Sequence, residues 1–241
     1  MKILGIDGSG LVASVAIVED DNLIGEYTTG YKKTHSQTLL PMLDELSKMI
    51  ELDLNTVDAI AVSAGPGSFT GLRIASATAK GLGLTMGCPI VSVPTVDAIA
   101  FNMWGNSGII CPILDARRGQ VYTGLYRFEA DGTFTVIKEQ CACDFHDIAE
   151  EINKLGEAVT FLGDGVPVFK DTIADIIKVD YRFAPAHLNR QHAASVATLG
   201  SIYYANGDCE PAADHRPEYL RLSQAERERM EKERLEKEGK A

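Results

Sequence analysis

The sequence lacks the features of a membrane protein and of a disulfide-stabilised protein. Its 241 residues contain five scattered cysteines and no C-x-x-C pair, and an odd number of such cysteines is typical of reduced thiols. No segment approaches the roughly 18 consecutive apolar residues of a membrane span, and Asp7 interrupts the apolar run at the N-terminus. These absences predict a cytoplasmic chain with no membrane span and no signal peptide.

The chain also has too few basic residues to bind nucleic acid by itself. It contains 34 Asp and Glu against 23 Lys and Arg, which gives a net charge of −11 at pH 7. Binding to a phosphate backbone requires clustered Lys and Arg side chains. Any contact with a nucleic acid is therefore expected to go mainly through partner proteins.

The order of predicted elements occurs twice along the chain. Each half has three strands, a helix, a strand, a glycine turn and a second helix, and the first strands end in Asp7 and Asp115. This pattern predicts an α/β protein with two duplicated βββαβα lobes, 1–106 and 107–221, followed by a charged helix or tail over 222–241. The layout resembles that of actin, hexokinase and Hsp70, in which two lobes face each other across a cleft.

A glycine-rich turn between a strand and a helix is the first candidate for ligand binding. Its pattern, G-x-G-x-x-x-G from Gly65 to Gly71, is neither a dinucleotide fingerprint nor a P-loop, because no Gly-Lys-Ser/Thr follows. The turn could hold a phosphate at the helix N-terminus or serve only as a tight bend. No cofactor is predicted beyond weak nucleotide or anion binding in the cleft. The candidate residues for that site are Asp7, Ser9, Gly65, Gly67, Asp115 and Asp164.

Four segments resemble one family of bacterial proteins. They are "ILGIDGS" at 3–9, "HSQTLLPML" at 35–43, "GPGSFTGLRIA" at 65–75 and "PEYLR" at 217–221. Together they resemble TsaB, the partner protein for threonylcarbamoyladenosine formation on tRNA. The resemblance implies a non-catalytic subunit that binds and activates a TsaD-like catalytic subunit and works with a TsaE-like ATPase. It also implies a homodimer when the chain is alone, and contact with tRNA only through the complex.

The metal site of the catalytic relative is incomplete in this sequence. TsaD carries an H-x-x-x-H motif on its first helix, whereas His35 is followed four residues later by Leu39. Two histidines at i and i+4 supply two metal ligands from one helix face, and one histidine does not. We therefore predict no metal site. The sequence also has Gly8 where the family more often has Thr, and the missing hydroxyl disfavours a phosphate contact at this position.

The first two helices are the candidate partner interface. On the first helix, Leu39, Leu43 and Leu46 form a stripe expected to face the sheet, and further apolar residues widen the arc beyond it. The second helix, predicted from Thr70 to about Met86, is rich in small residues, which allow another backbone to approach closely. The resemblance implies that these helices pair with the same two helices of TsaD, or of a second copy. The predicted interface residues are Leu39, Leu40, Met42, Leu43, Leu46, Met49, Arg73 and Ala77.

Two enzymatic alternatives remain open at this point. One is an ATP-dependent phosphotransferase of the actin and hexokinase fold, with Asp7 and Asp115 around Mg²⁺. The other is a metal-dependent hydrolase of the glycopeptidase type, which the incomplete histidine motif disfavours.

Overall fold

The computed structural model describes residues 1–31 and 34–221. The predicted charged tail, 222–241, lies outside the described residues. The elements of the first half are β1 (Lys2–Asp7), β2 (Ala13–Glu19), β3 (Asn22–Thr29), α1 (His35–Met49), β4 (Ala59–Gly65), α2 (Phe69–Met86), β5 (Ile90–Pro94) and α3 (Thr95–Phe101).

The second half repeats the same order of elements. They are β6 (Ile109–Asp115), β7 (Gln120–Phe128), β8 (Phe134–Asp144), α4 (Phe145–Leu155), β9 (Val159–Leu162), α5 (Val166–Ile176), β10 (Tyr181–Phe183) and α6 (Ala193–Ala205). The sheets are ordered β3-β2-β1-β4-β5 and β10-β9-β6-β7-β8. In each sheet the first strand is central, with an antiparallel partner on one side and a parallel partner on the other. The predicted two-lobed α/β fold of the actin and hexokinase type is therefore confirmed.

Helices cover both faces of the first sheet. On one face, α1 and α2 bury Leu39, Leu43 and Ala75 against apolar residues of the strands. On the other face, α6 and α3 pack against the same strands. This arrangement buries the inner faces of α1 and α2 and leaves their outer faces exposed.

The last part of the chain returns to the first lobe. Helix α6 packs on β1, β2 and β4, where Val196 and Leu199 are buried. The backbone N–H of Glu218 then donates a 2.7 Å hydrogen bond to the carbonyl of Ala64. The stretch 107–221 is therefore continuous in sequence but does not pack as one lobe, because α6 covers apolar strand residues of the first sheet.

Helix α3 lies between the two sheets and contacts strands of both. Its buried carboxylate, Asp97, accepts a 2.7 Å hydrogen bond from the hydroxyl of Tyr126 on β7. Asp97 also accepts a longer hydrogen bond, 3.4 Å, from Tyr203 on α6. The two halves are therefore joined by a buried polar contact as well as by apolar packing.

Candidate functional site

The structure divides the predicted interface residues into a buried set and an exposed set. Leu39, Met42, Leu43 and Leu46 are at most 6% exposed and belong to the core between α1 and the first sheet. The stripe predicted to face the sheet is thus confirmed. The assignment of these four residues to a partner interface is wrong. Their side chains are covered by strands of the same chain and do not reach its surface.

Several residues of α1 and α2 are exposed, and we call this exposed surface of the two helices the docking face. On α1, Leu40 is 53% and Met49 78% exposed, and on α2, Leu84 is 62% exposed. Ala77 and Gly81 lie at the spacing of one helical turn from each other and are also exposed. The docking face therefore combines large apolar side chains on α1 with small residues on α2.

Two glycines of α2 have opposite surroundings. A Cβ built at Gly83 would lie 2.8 Å from the Cβ of Ala212 and 3.1 Å from the carbonyl oxygen of Cys88. Within the described part of the chain, a Cβ at Gly81 would have no heavy atom within 4 Å beyond its neighbours and its own helix backbone. The packing of this chain therefore requires a glycine at position 83 and does not require one at position 81.

The N-terminal end of α2 is covered by the C-terminal segment. The rings of Phe69 and Tyr219 stack with centroids 4.4 Å apart. The guanidinium of Arg73 lies 5.8 Å from the centroid of the Phe69 ring and donates a 3.1 Å hydrogen bond to the hydroxyl of Tyr219. Arg73, a predicted interface residue, is thus held by intramolecular contacts at the rim of the docking face.

The glycine turn forms hydrogen bonds within the protein itself. The N–H of Ser68 donates to the carbonyl of Ser9 at 2.7 Å, and the Ser68 hydroxyl accepts a 3.3 Å hydrogen bond from the N–H of Gly71. Ser68 is thus the N-cap of α2. These bonds favour the interpretation of the turn as a tight bend that starts α2.

A cleft of about 500 Å³ lies between the lobes, as expected for this architecture. Of the six candidate cleft residues, Ser9, Gly67, Asp115 and Asp164 line it. Gly65 does not line it, because it lies against the backbone of Glu218. The assignment of Gly65 to the cleft wall is therefore wrong.

Asp7 also lies outside the cleft wall and is fully buried. Its carboxylate accepts hydrogen bonds from the N–H and hydroxyl of Ser9, at 2.8 and 2.7 Å, and from the hydroxyl of Ser63. Burial raises the pKa of Asp7, and the hydrogen bonds from the two serines oppose that rise. Asp7 therefore does not line the cleft, and the alternative in which Asp7 and Asp115 together hold Mg²⁺ there lacks one of its two carboxylates.

The charged groups that do line the cleft partly neutralise each other. Asp115 accepts a 2.8 Å hydrogen bond from the N–H of Arg117 and lies 3.1 Å from the guanidinium of the same residue. Asp164 accepts a 3.1 Å hydrogen bond from the N–H of Asp115. Burial raises the pKa of the Asp164 carboxyl, and the bond from Asp115 opposes that rise.

The residues around His35 do not fit the metal site of the catalytic relative. The Nε2 atom of His35 lies 2.8 Å from the carbonyl oxygen of Gly10, to which it donates a hydrogen bond. Leu39 occupies the next position on the same face and is buried. Across residues 1–31 and 34–221, no three His, Cys, Asp or Glu side chains are grouped so that they could hold a metal ion. The same residues contain no helix that is long and apolar enough to cross a bilayer.

Known proteins match the chain over most of its length. The family model described as TsaD: tRNA N6-adenosine threonylcarbamoyltransferase matches residues 22–229. The tRNA threonylcarbamoyladenosine biosynthesis protein TsaB of Bacillus subtilis (strain 168) is 34% identical over 94% of this chain and 96% of its own length. The chain belongs to the TsaB family. The protein of the same description from Escherichia coli (strain K12) is 30% identical over 71% of this chain and 74% of its own length.

Solved structures agree with the assignment to the TsaB family. A protein from Pseudomonas aeruginosa described as similar to peptidase YEAZ matches with a TM-score of 0.78 and 26% identity. A second structure, YeaZ from Pseudomonas aeruginosa, matches with a TM-score of 0.74 and 25% identity. Each comparison covers 91% of this chain and 99% of the solved chain. This TsaB-family chain therefore has the TsaD-type, glycoprotease-like fold.

Three features of this TsaB-family chain were missed in the sequence. Gly81 was one small residue among many, and only its empty surroundings distinguish it from Gly83. Gln191, which lines the cleft, lies in a loop without a motif. Tyr219 lies in "PEYLR", a segment that points to the family and contains no local signal for a contact with Phe69.

Proposed function

We propose that this chain is a non-catalytic subunit in the biosynthesis of threonylcarbamoyladenosine on tRNA, where it binds and activates a TsaD-like catalytic subunit. The names of the TsaB relatives support the pathway. The observation that carries the binding role is the docking face, with its exposed Leu40 and Met49 on α1 and the open space over Gly81 on α2.

The docking face has the composition of a helix–helix interface. Leu40 and Met49 lie nine residues apart on opposite flanks of α1, and the apolar surface that each exposes favours burial against a partner. An interior helical glycine costs about 1 kcal/mol relative to alanine, and a partner backbone that approaches Gly81 would offset that loss. Two helices of this chain and two of the partner would then form a four-helix bundle.

The same face explains both partners of the proposed complex. A second copy of the chain would cover Leu40 and Met49 in the absence of TsaD, which gives a homodimer. Because homodimer and mixed complex would use one surface, the catalytic subunit would have to displace the second copy. The proposed complex also includes a TsaE-like ATPase, and the net charge of −11 supports contact with tRNA through the partners.

Two observations support a non-catalytic role. His35 donates its Nε2 proton to a backbone carbonyl and has Leu39 where the catalytic relative has its second histidine. Asp7 is buried and held by two serines, which removes the carboxylate pair on which the phosphotransferase alternative depended.

Reconstitution of the modification reaction tests the activating role. We expect threonylcarbamoyladenosine on tRNA only when the TsaD-like subunit of the same organism and this chain are both present, and none from this chain alone. Asp7→Asn and His35→Gln variants that remain folded should support the same yield as the native chain. Product formation by this chain alone would contradict the non-catalytic role, and equal yield without it would contradict activation.

A further inference from the structure

One large aromatic side chain lies on the surface away from the cleft and from the docking face. Trp104 is the single tryptophan of the chain, and it is 69% exposed. It lines a pocket of about 360 Å³ formed by residues 104–107, which follow α3, and by residues 128–132 at the turn between β7 and β8. Tryptophan is enriched where proteins contact their partners. The pocket is therefore a candidate contact site.

The fold holds the indole ring of Trp104 in place. A Cβ built at Gly132 would lie 3.7 Å from the Cζ2 atom of Trp104, so the ring lies against the turn. The rings of Trp104 and Phe128 are arranged edge to face with centroids 6.5 Å apart. Phe128 packs in turn against Phe101 and Phe134. The indole is thus oriented before a partner binds, which lowers the entropy cost of binding.

The charge of the pocket is negative. Glu129 and Asp131 line it, and residues 104–107 and 128–132 contain no lysine or arginine. The N–H of Thr133 donates a 2.9 Å hydrogen bond to the Asp131 carboxylate. This bond lowers the pKa of the Asp131 carboxyl and favours its charged form. Within residues 1–31 and 34–221, neither carboxylate forms an ion pair, so both are available to a cation.

The amide in the pocket wall is already used by the protein. The carboxamide oxygen of Asn106 accepts a hydrogen bond from the guanidinium of Arg182, and its amino group donates a 2.9 Å hydrogen bond to the carbonyl of Ser107. Arg182 lies on β10, does not line the pocket and also donates to the hydroxyl of Thr160. The exposed indole and the two carboxylates are therefore the groups that select an occupant.

An arginine side chain matches both features of the pocket. Its guanidinium is planar and positively charged, so it stacks on the face of an indole. Its N–H groups also form charge-assisted hydrogen bonds with carboxylates. A nucleic-acid base could stack on the indole too, but Glu129 and Asp131 would repel its phosphates. Charge complementarity therefore favours arginine.

We propose that this pocket binds an arginine side chain presented by a partner protein, which stacks on Trp104 and pairs with Glu129 and Asp131. The proposal goes beyond the proposed function, because the pocket shares no residue with the cleft and contains none of the docking-face residues Leu40, Met49, Ala77 and Gly81. Binding of a TsaD-like subunit through α1 and α2 does not depend on it.

The fluorescence of the purified chain tests the proposal, because its tryptophan emission comes from Trp104 alone. The probes are three short peptides of the same design, which carry two arginines, two lysines or two citrullines and are titrated at constant ionic strength. We expect the arginine peptide to change the emission saturably. The lysine peptide should bind about threefold more weakly because it does not stack flat. The uncharged citrulline peptide should bind about tenfold more weakly.

Two double variants separate the charge of the pocket from the charge of the whole chain. Glu129→Gln with Asp131→Asn should weaken binding of the arginine peptide about tenfold, and the asparagine keeps an oxygen that accepts from Thr133. Asp171→Asn with Asp175→Asn removes the same charge from exposed positions of α5. This control should bind the arginine peptide as native protein does.

Several results would overturn the proposal. They are an emission that does not respond to the arginine peptide at about 10 mM, equal binding of the arginine and citrulline peptides, and equal weakening by the two double variants. A stronger response to a single-stranded oligonucleotide than to the arginine peptide would assign the pocket to nucleic acid and overturn the proposal.

Discussion

Replacement of Gly81 by alanine should stabilise the free chain and weaken its complexes. The added Cβ would enter open space, and Gly81 has no left-handed φ, so the substitution introduces no strain. Alanine has a higher helix propensity than glycine and lowers the conformational entropy of the unfolded chain. Together these effects should raise the free energy of unfolding by about 1 kcal/mol. For a chain of this size we expect the unfolding midpoint to rise by about 2–4 °C.

Gly83→Ala is the matched control on the same helix. Its Cβ would lie 2.8 Å from the Cβ of Ala212 and 3.1 Å from a backbone carbonyl oxygen, so atoms must shift. Overpacking of this kind costs about 1–3 kcal/mol, which exceeds the gain in propensity. The two variants should therefore change the free energy of unfolding in opposite directions. Urea denaturation measures this change at a protein concentration low enough for the chain to be monomeric.

The effect of Gly81→Ala on association tests whether a partner contacts the chain at Gly81. If a partner backbone approaches this residue closely, the added methyl group should weaken binding to the TsaD-like subunit about tenfold, or about 1.4 kcal/mol, in calorimetric titration. A stabilised Gly81→Ala variant that binds the partner as tightly as the native chain would refute the argument from the open space. If Gly81→Ala destabilised the free chain, the claim that its Cβ enters open space would be refuted.

Three further predictions concern the interior. Asp7→Ala removes a buried acceptor of three hydrogen bonds and should cost about 2–4 kcal/mol in urea unfolding; a loss below 1 kcal/mol would contradict its structural role. Tyr126→Phe removes the 2.7 Å bond to Asp97 and should cost about 1–2 kcal/mol, whereas a neutral effect would mean that this contact does not join the lobes. The hydrogen bond to Glu26 raises the pKa of His192 above 6.5, so its contribution is complete below pH 6.5 and is lost as pH rises through the folded-state pKa. Since the pair is partly exposed, the stability difference between native protein and His192→Gln should stay below about 1 kcal/mol and shrink towards pH 8; a difference that grows with pH would contradict the pairing.

Local patterns predicted the elements and the duplication, because strand and helix periodicities depend on neighbouring residues. The stripe from Leu39 to Leu46 was recognised for this reason. The position of α6 was not, since Ala193–Ala205 is apolar on most sides and its periodicity does not indicate which sheet it covers.

The candidate cleft was only partly predictable for a related reason. Asp7 and Asp115 end equivalent strands, yet Asp7 is held by Ser63, which is 56 residues away in sequence. Asp115 instead pairs with Arg117 in the adjacent turn. The duplication predicted equivalent backbone positions, whereas the side-chain environment depends on non-local residues that differ between the two halves.

Sedimentation of the chain with the TsaD-like subunit of the same organism tests most directly whether α1 and α2 form the docking face. Native protein should form a mixed complex, and Leu40→Glu with Met49→Glu should not, because both charges would enter an apolar contact. Met42 is unsuitable for this purpose, since it is 6% exposed and belongs to the core. The control Ile202→Glu, at a 45% exposed position of α6, should form the complex as native protein does. A mixed complex formed equally well by the folded Leu40→Glu and Met49→Glu double variant would contradict docking on this face.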